Sequence, residues 1–214
     1  MKGLEVSEVL LGELEYSGRL DSEYYRPKWL AYESLLRQRT NKPLSSFGSF
    51  LIGPFGSAFT VENYTEEKSF RYIRGKDVKS MQLMDDDNVY MPKVDFERLS
   101  KYALRKNDLL ISVVGTIGNT AIVEEENLPS IFSCKSTVVR TYEINPYYLL
   151  VYLNSKFGQS FLRRKERGAI QQGLNLDDLK TLDVYEASKA FQETIVEVYK
   201  ATISISKASK STYT

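Results

Sequence analysis

Residues 108–123 read DLLISVVGTIGNTAIV, and this stretch decides the fold class. Aliphatic and β-branched residues on both sides of a short connection predict two strands joined as a hairpin. Gly115 and Gly118 bracket the connection, and glycine permits the positive φ angles that a tight turn often needs. Similar short runs at residues 44–52, 70–73 and 136–141 predict further strands.

The pattern becomes helical after residue 143. Residues 144–159 read INPYYLLVYLNSKFGQ, with Asn145 at a helix cap and Pro146 at the first helical position. Residues 168–180 read GAIQQGLNLDDLK, a Gly/Gln-rich loop followed by a helix that Asn175 can cap. Near the N-terminus, an amphipathic helix is predicted over residues 27–39.

A long C-terminal helix is predicted over residues 188–210. Four of its apolar side chains fall near heptad seam positions, although Thr202 and Ser209 interrupt the seam. We expect these four to form an interface with another helix, in this chain or in a partner: Phe191, Ile195, Val198 and Ile205. The helix lacks a clear C-terminal cap, so we expect it to continue in a longer natural protein. The expected domains are a globular domain of residues 1–186 and a helical region of residues 187–214.

The composition excludes several classes of function. The chain has 214 residues, no histidine and one cysteine, so Ser-His-Asp catalysis, Cys-His catalysis and a His/Cys zinc site are excluded. A single cysteine also excludes an internal disulfide framework and favours a reducing cytoplasm. No apolar run approaches a membrane span of about 20 residues. The formal net charge is +1, so any DNA contact must use local clusters or a charged partner.

Three motifs could carry chemistry, and each has a simpler interpretation. Residues 145–148, NPYY, resemble the Asn-Pro-Pro-aromatic signature of amino-methyltransferases, but the second proline is missing and a helix cap is favoured. Residues 85–87 are consecutive aspartates, which cannot converge on one cation without an irregular loop, so a solvated turn is favoured. Residues 115–118 precede a strand rather than a helix, which leaves a structural hairpin and a DNA-facing loop as alternatives. No catalytic residue and no metal site is predicted.

Basic side chains concentrate in three places. The densest cluster, residues 163–167, is typical of a solvated helix face, but it adjoins the loop at residues 168–173. Gln171 and Gln172 in that loop could read adenine through paired hydrogen bonds, while neighbouring arginines position the phosphate backbone. Residues 71–79 form a second basic stretch, and Lys135 follows Cys134 in a third.

Taken together, these segments resemble the specificity subunit of Type I restriction–modification enzymes. The order and spacing of the motifs carry the resemblance, which covers nearly the whole chain. The matching segments are LDSEYYRPKWLAYESLL (20–36), PFGSAF (54–59), YIRGKDV (72–78), DLLISVVGTIGNTAIV (108–123), SCKSTVV (133–139), INPYYLLVYLNSKFGQ (144–159), GAIQQGLNLDDLK (168–180) and FQETI (191–195).

The resemblance implies an α+β fold. A target recognition domain of curved, mostly antiparallel β-structure with flanking helices would precede a long coiled-coil-type helix. A full subunit of this family has two such domains and two such helices, paired as an antiparallel spacer. This chain would then be a half-subunit or a fragment of a two-domain chain. Its partner would be a second recognition domain in the same chain or a homodimer partner.

The resemblance also implies a non-catalytic role. The domain would read one half of a split site in double-stranded DNA and direct DNA adenine methyltransferase subunits and a restriction subunit to it. It would need no cofactor, since S-adenosylmethionine and ATP belong to those partners, and it would not contact a membrane. Two alternatives stay open: the recognition domain of a single-chain Type II restriction–methylation enzyme, and a protein-interaction module that binds through the C-terminal helix.

Four loops are expected to face DNA: residues 53–59, residues 74–79, residues 115–119 with Lys135, and residues 168–173. This grouping follows from resemblance and composition together. The expected DNA-binding residues are Ser57, Arg74, Lys76, Lys79, Thr116, Asn119, Lys135, Arg164, Gln171 and Gln172.

Overall fold

The computed structural model describes residues 4–167 and 173–211. The helices of this part are α1 (Leu11–Ser17), α2 (Pro27–Arg37), α3 (Lys93–Arg98), α4 (Pro146–Asn154), α5 (Lys156–Arg164), α6 (Leu176–Lys180) and α7 (Lys189–Ser211). The strands are β1 (Asn41–Pro43), β2 (Gly48–Ile52), β3 (Phe70–Ile73), β4 (Val89–Met91), β5 (Leu109–Ser112), β6 (Thr120–Ile122), β7 (Ser130–Phe132), β8 (Ser136–Thr141) and β9 (Asp183–Tyr185).

The central sheet has the strand order β2-β8-β5-β6 and is antiparallel throughout. Leu109 pairs with Ile122 on one side and with Val139 on the other. The predicted hairpin is therefore confirmed as β5 and β6. Gly115 and Gly118 in its connection have φ angles of 87° and 83°, the positive values that the sequence predicted.

The central sheet is buried on both faces. Leu109 and Ile111 point into the main core, which α4 and α5 cover. Leu110 points the other way, into a second core with Ile73 and Phe132. Side chains alternate between the faces of a strand. With apolar layers on both sides, β5 has three consecutive apolar residues, 109–111, instead of an alternating pattern.

Two smaller sheets complete the β-structure. In the first, β3 pairs antiparallel with β4 and parallel with β7. In the second, β1 pairs antiparallel with β9, with Asn41 opposite Tyr185. The α+β class with mostly antiparallel strands is confirmed.

One predicted strand is shorter than expected. Residues 44–52 were predicted to be extended throughout, but Leu44–Ser46 forms a 3₁₀ turn and only Gly48–Ile52 is a strand. Leu44 and Phe47 are both buried in the main core. A 3₁₀ turn places residues three apart on the same side, whereas a strand would send them to opposite faces.

The helix caps follow the sequence prediction. The side chain of Asn145 accepts a hydrogen bond from the backbone N–H of Tyr147 at 2.9 Å, and that of Asn175 accepts one from Asp178 at 2.7 Å. The NPYY motif is therefore a helix start in this fold. Along the described residues, no helix combines the length and the apolar character that a membrane span needs.

The C-terminal helix α7 presents two faces. Its inner face packs on α4 through the buried Val196 and the half-buried Tyr199. The side chain of Gln192 fixes its start, because it accepts from the N–H of Asn145 and donates to the carbonyl of Ala187. Its outer face carries the predicted seam. Phe191, Val198 and Ile205 are exposed, whereas Ile195 is half-buried against the main core.

Candidate DNA-recognition surface

Three of the four loops predicted to face DNA meet at residues 133–135. A Cβ atom on Gly53 would lie 2.6 Å from the carbonyl oxygen of Ser133, so the first loop crosses directly over this segment. A Cβ atom on Gly75 would lie 2.6 Å from the Cβ of Lys135, which places the second loop beside it. The backbone N–H of Val113 donates to the carbonyl of Lys135 at 2.9 Å, just before the third loop.

The second and third loops are also tied to each other. The side-chain amide of Asn119 donates to the carbonyl of Val78 at 3.1 Å, and the N–H of Met81 donates to the carbonyl of Thr120 at 2.8 Å. Asn119 therefore orients the neighbouring loop. We call residues 53–59, 74–79, 115–119 and 133–135 the loop surface.

The base of the fourth loop adjoins the loop surface. Arg167 and Gly173 exchange two backbone hydrogen bonds of 3.0 Å and 2.9 Å across the ends of this loop. The N–H of Leu174 then donates to the carbonyl of Val113 at 3.0 Å. Gln171 and Gln172 lie outside the described residues, so their role stays a prediction.

Arg74 is held by carboxylates of its own chain. Its guanidinium donates to Asp77 at 3.0 Å and 2.9 Å, and Asp77 is fully buried. Burial disfavours the charged guanidinium, but the hydrogen bonds to Asp77 together with the negative charges of Asp77 and Asp87 outweigh this effect, and the pKa of Arg74 is raised. Arg74 therefore shapes its own loop, and its contact with DNA stays a prediction.

The aspartates of residues 85–87 supply counter-charge to this loop. The carboxylate of Asp87 lies 2.7 Å from the ammonium of Lys76, and this hydrogen bond lowers the pKa of Asp87. Asp85 lies 3.5 Å from the guanidinium of Arg71. Among the residues that the structure describes, no group of His, Cys, Asp and Glu side chains could hold a metal ion.

Two cations of the loop surface are free to meet an anion. Lys79 and Lys135 are exposed, and within residues 4–167 and 173–211 neither forms an ion pair. Ser57 and Thr116 are also exposed, on the first and third loops. The surface thus offers two unpaired ammonium groups and two small hydroxyl groups on one connected set of loops.

Arg164 requires a correction. It was predicted to face DNA, but its residue is 8% exposed and its guanidinium points inward. It forms a 2.6 Å ion pair with Glu33, donates to the carbonyl of Tyr24 at 2.8 Å, and lies 4.0 Å from the centroid of the Tyr24 ring. Its spacing from Phe157 and Phe161 could have revealed this, because residues at i, i+4 and i+7 share one helix face.

Residues 46–211 match the family model described as the Type I restriction modification DNA specificity domain. The chain belongs to this family. The match begins after α2 and includes the loop surface and α7.

Relatives of this specificity domain agree with the family model. The Type I restriction enzyme EcoBI specificity subunit of Escherichia coli is 34% identical over 94 residues, which are 44% of this chain and 20% of that protein. The S subunit of a Type I restriction-modification system from M. genitalium has the same fold, with a TM-score of 0.55 and 16% identity over 76% of this chain and 38% of that chain. The chain thus spans well under half of the length of either relative.

A third similarity shows that the fold also occurs in another enzyme type. The Type IIG restriction endonuclease BpuSI superposes with a TM-score of 0.60 at 10% identity, over 88% of this chain and 30% of that chain. At this identity the similarity concerns the fold alone.

Sequence reasoning missed one side chain of the specificity domain. Phe55 is 85% exposed in the first loop, two residues before Ser57. An exposed phenylalanine next to Pro54 and Gly56 was a usable signal, because such a loop cannot bury a large ring within itself. An apolar ring at this position can contact a thymine methyl group or a base face.

Proposed function

We propose that this specificity domain is a DNA-recognition module of a Type I restriction–modification system that reads one half of a bipartite site. The observation that carries the proposal is the convergence of the predicted loops on residues 133–135. Loops that are far apart in sequence lie next to one another in the fold. Reading a DNA sequence requires several side chains that contact the same duplex, and neighbouring loops can supply them.

The chemistry of the loop surface suits two kinds of contact. Lys79 and Lys135 would position the phosphate backbone, which fixes register without reading sequence. Ser57, Thr116 and Phe55 would contact base edges, together with the glutamines of the fourth loop. The near-neutral net charge of the chain is compatible with this role if partner subunits supply further cations.

Chemistry on DNA would take place in the partners. Adenine methyltransferase subunits would flip an adenine out of the duplex and methylate it with S-adenosylmethionine, and a restriction subunit would use ATP. This chain would bind no cofactor and would work in the reducing cytoplasm, where its half-buried Cys134 would stay a free thiol.

The outer face of α7 would bind a partner helix. Phe191, Val198 and Ile205 are seven residues apart and are 50%, 60% and 70% exposed. A seven-residue apolar repeat on an exposed helix face is the pattern of a coiled-coil interface. We propose that its partner is the corresponding helix of a second recognition domain, in the same chain or in a second copy.

The proposal is tested by mapping adenine methylation in cells that express the full-length protein with its methyltransferase subunits. Replacing Gln171 and Gln172 by Ala should relax sequence choice, at about 1–3 kcal/mol per lost bidentate contact. The Lys79→Gln/Lys135→Gln variant should instead weaken binding to all DNA sequences by a similar factor. If neither variant changes methylation specificity or affinity, neither the loop surface nor the fourth loop contacts DNA as proposed.

The single-chain alternative predicts a different gene. A Type II restriction–methylation enzyme would carry catalytic domains in the same open reading frame, whereas a Type I module would need a separate methyltransferase gene. The fold similarity to BpuSI makes this alternative worth testing, and the sequence identity to the EcoBI specificity subunit favours the Type I system. A pure protein-interaction module predicts no DNA binding even with the methyltransferase subunits present.

A further inference from the structure

The segment before the specificity domain builds a second basic surface together with α5. The guanidinium of Arg19 donates to the carbonyl of Glu166 at 3.2 Å, and Arg164 donates to the carbonyl of Tyr24. These bonds hold residues 19–29 against the end of α5. Between them lies a cleft of about 610 Å³. Six cationic side chains line this basic cleft: Arg19, Arg26, Lys28, Arg163, Arg164 and Arg167.

The basic cleft brings six cationic side chains together on one concave surface. Three carboxylates also line it, which leaves a formal charge of +3 on the lining residues, and Glu33 and Asp178, which pair with two of the arginines from outside the lining, reduce this to +1. Concentrated charge of one sign in a concave surface focuses the electrostatic potential and attracts ligands of opposite sign. An anionic partner is therefore the complementary occupant.

Two cations of the cleft are available to such a partner. Arg19, Arg26 and Arg167 pair with Asp21, Glu23 and Asp178, and Arg164 pairs with Glu33. Lys28 and Arg163 are exposed, and within the described ranges, 4–167 and 173–211, neither forms an ion pair. The ammonium of Lys28 lies 4.1 Å from the centroid of the Trp29 ring, which holds it at the cleft.

We propose that the basic cleft binds the phosphate backbone of the duplex beside the half-site that the loop surface reads. The inference rests on the proposed function. Arg163 and Arg167 are four residues apart, and Arg167 closes the fourth loop, whose other end bonds to Val113 under the third loop. The basic cleft and the loop surface therefore adjoin the two ends of the same loop, and in this proposal one duplex contacts both.

A phosphate backbone suits the cleft better than an acidic peptide. The phosphate groups of a DNA duplex present negative charges at short, regular intervals along a stiff helix. A guanidinium group can bind a phosphate through two parallel hydrogen bonds. Residues 19–29 precede the residues that match the family model, whereas Arg163 and Arg167 lie within them, so this contact would combine the matched domain with the segment before it. It would add affinity without reading sequence.

The test compares two variants with the same change in charge. In the full-length protein assembled with its methyltransferase subunits, Lys28→Gln/Arg163→Gln removes the free cations of the cleft. The control is Lys156→Gln/Lys189→Gln, which removes two exposed cations that form no ion pair in the described part of the chain. Fluorescence anisotropy then gives the affinity for cognate and unrelated duplexes over a series of salt concentrations.

Affinity for DNA falls as salt rises, so the slope of log K against log salt is negative. The cleft variant should make this slope shallower by about 1.8, which is about 0.9 for each of two lost phosphate contacts. Its affinity for cognate and unrelated DNA should fall by the same factor, and the control should keep the wild-type slope. Arg163→Lys, which keeps the charge, should retain most of the slope, and circular dichroism should show that each variant is folded.

The outcomes separate the two proposals. If the wild-type assembly does not bind DNA, the proposed function is wrong. If it binds DNA and the cleft variant keeps the wild-type slope, the basic cleft does not contact the backbone. If the cleft variant changes which sequence is preferred, the cleft reads bases and the assignment to the backbone is wrong.

Discussion

Replacing Arg164 by Ala should destabilise the fold without removing a DNA contact. The variant loses the ion pair with Glu33 at 2.6 Å, the hydrogen bond to the carbonyl of Tyr24, and the contact with the Tyr24 ring. A hydrogen bond to a charged group contributes about 1.5–3 kcal/mol, and a cation–π contact about 0.5–2 kcal/mol. Because the side chain of Glu33 is 22% exposed, water can solvate its carboxylate in the variant, which reduces the loss. We expect a net loss of about 2–4 kcal/mol in the free energy of unfolding.

Urea denaturation measures this loss, and the adjacent Arg163→Ala variant is the matched control. Arg163 is exposed and lies on the same helix, so its removal should change the free energy of unfolding by less than about 0.5 kcal/mol. Replacing Arg164 should thus lower the free energy of unfolding, whereas replacing Arg163 should lower the affinity for DNA. Equal free energies of unfolding for the two variants would refute the inward placement of Arg164.

Two further predictions concern the core around the loops. Gly53→Ala should lower the free energy of unfolding by about 1–3 kcal/mol, because the added methyl group would lie 2.6 Å from the backbone of Ser133. Gly56→Ala should leave it nearly unchanged, because the closest neighbour of the added methyl group would lie at 3.9 Å. Thermal unfolding compares the two, and equal costs would contradict this close approach. Burial and the carboxylate of Glu124 raise the pKa of Tyr147 to about 12, so the folded state holds the phenol proton more tightly than the unfolded state. The free energy of unfolding should therefore fall as the pH rises from about 10 to 12. Urea denaturation at pH values of about 9 and 11 measures this fall, which should be smaller in Tyr147→Phe than in the wild type. Identical losses would show that Tyr147 does not contribute.

The strands that sequence reasoning found are those with strong side-chain patterns. The hairpin of β5 and β6 has aliphatic residues at nearly every position and glycines at its turn, so local signals sufficed. The three-residue strands β1 and β7 were missed. β1 consists of Asn-Lys-Pro, which has no strand propensity, and it is extended because β9 pairs with it. Strands of this kind depend on contacts between distant residues, which one sequence does not display.

The loops of the site could be located from the sequence, but the exposure and the ion-pair partners of each basic side chain could not. Arg163 and Arg164 are adjacent, yet one is exposed and the other is buried, because successive residues of a helix differ by about 100° in direction. Arg74 and Lys79 belong to one basic stretch, but Arg74 is bound by Asp77. Composition predicts where charge lies along the chain, whereas the partners of each charge depend on tertiary packing.

The pairing of β1 with β9 has a consequence for how such a module can change. Thr40 accepts a hydrogen bond from the N–H of Glu186 at 2.9 Å, and Lys42 forms an ion pair with Glu186. The backbone therefore enters and leaves the globular unit at adjacent points, shortly after α2 and shortly before α7. The segment between these points, called the cassette here, is closed at its base by the β1–β9 pair, and it also packs against α2 through α5 and against α7 through α4. Loops within the cassette can lengthen, shorten or be replaced without altering the spacing between the helices that carry it.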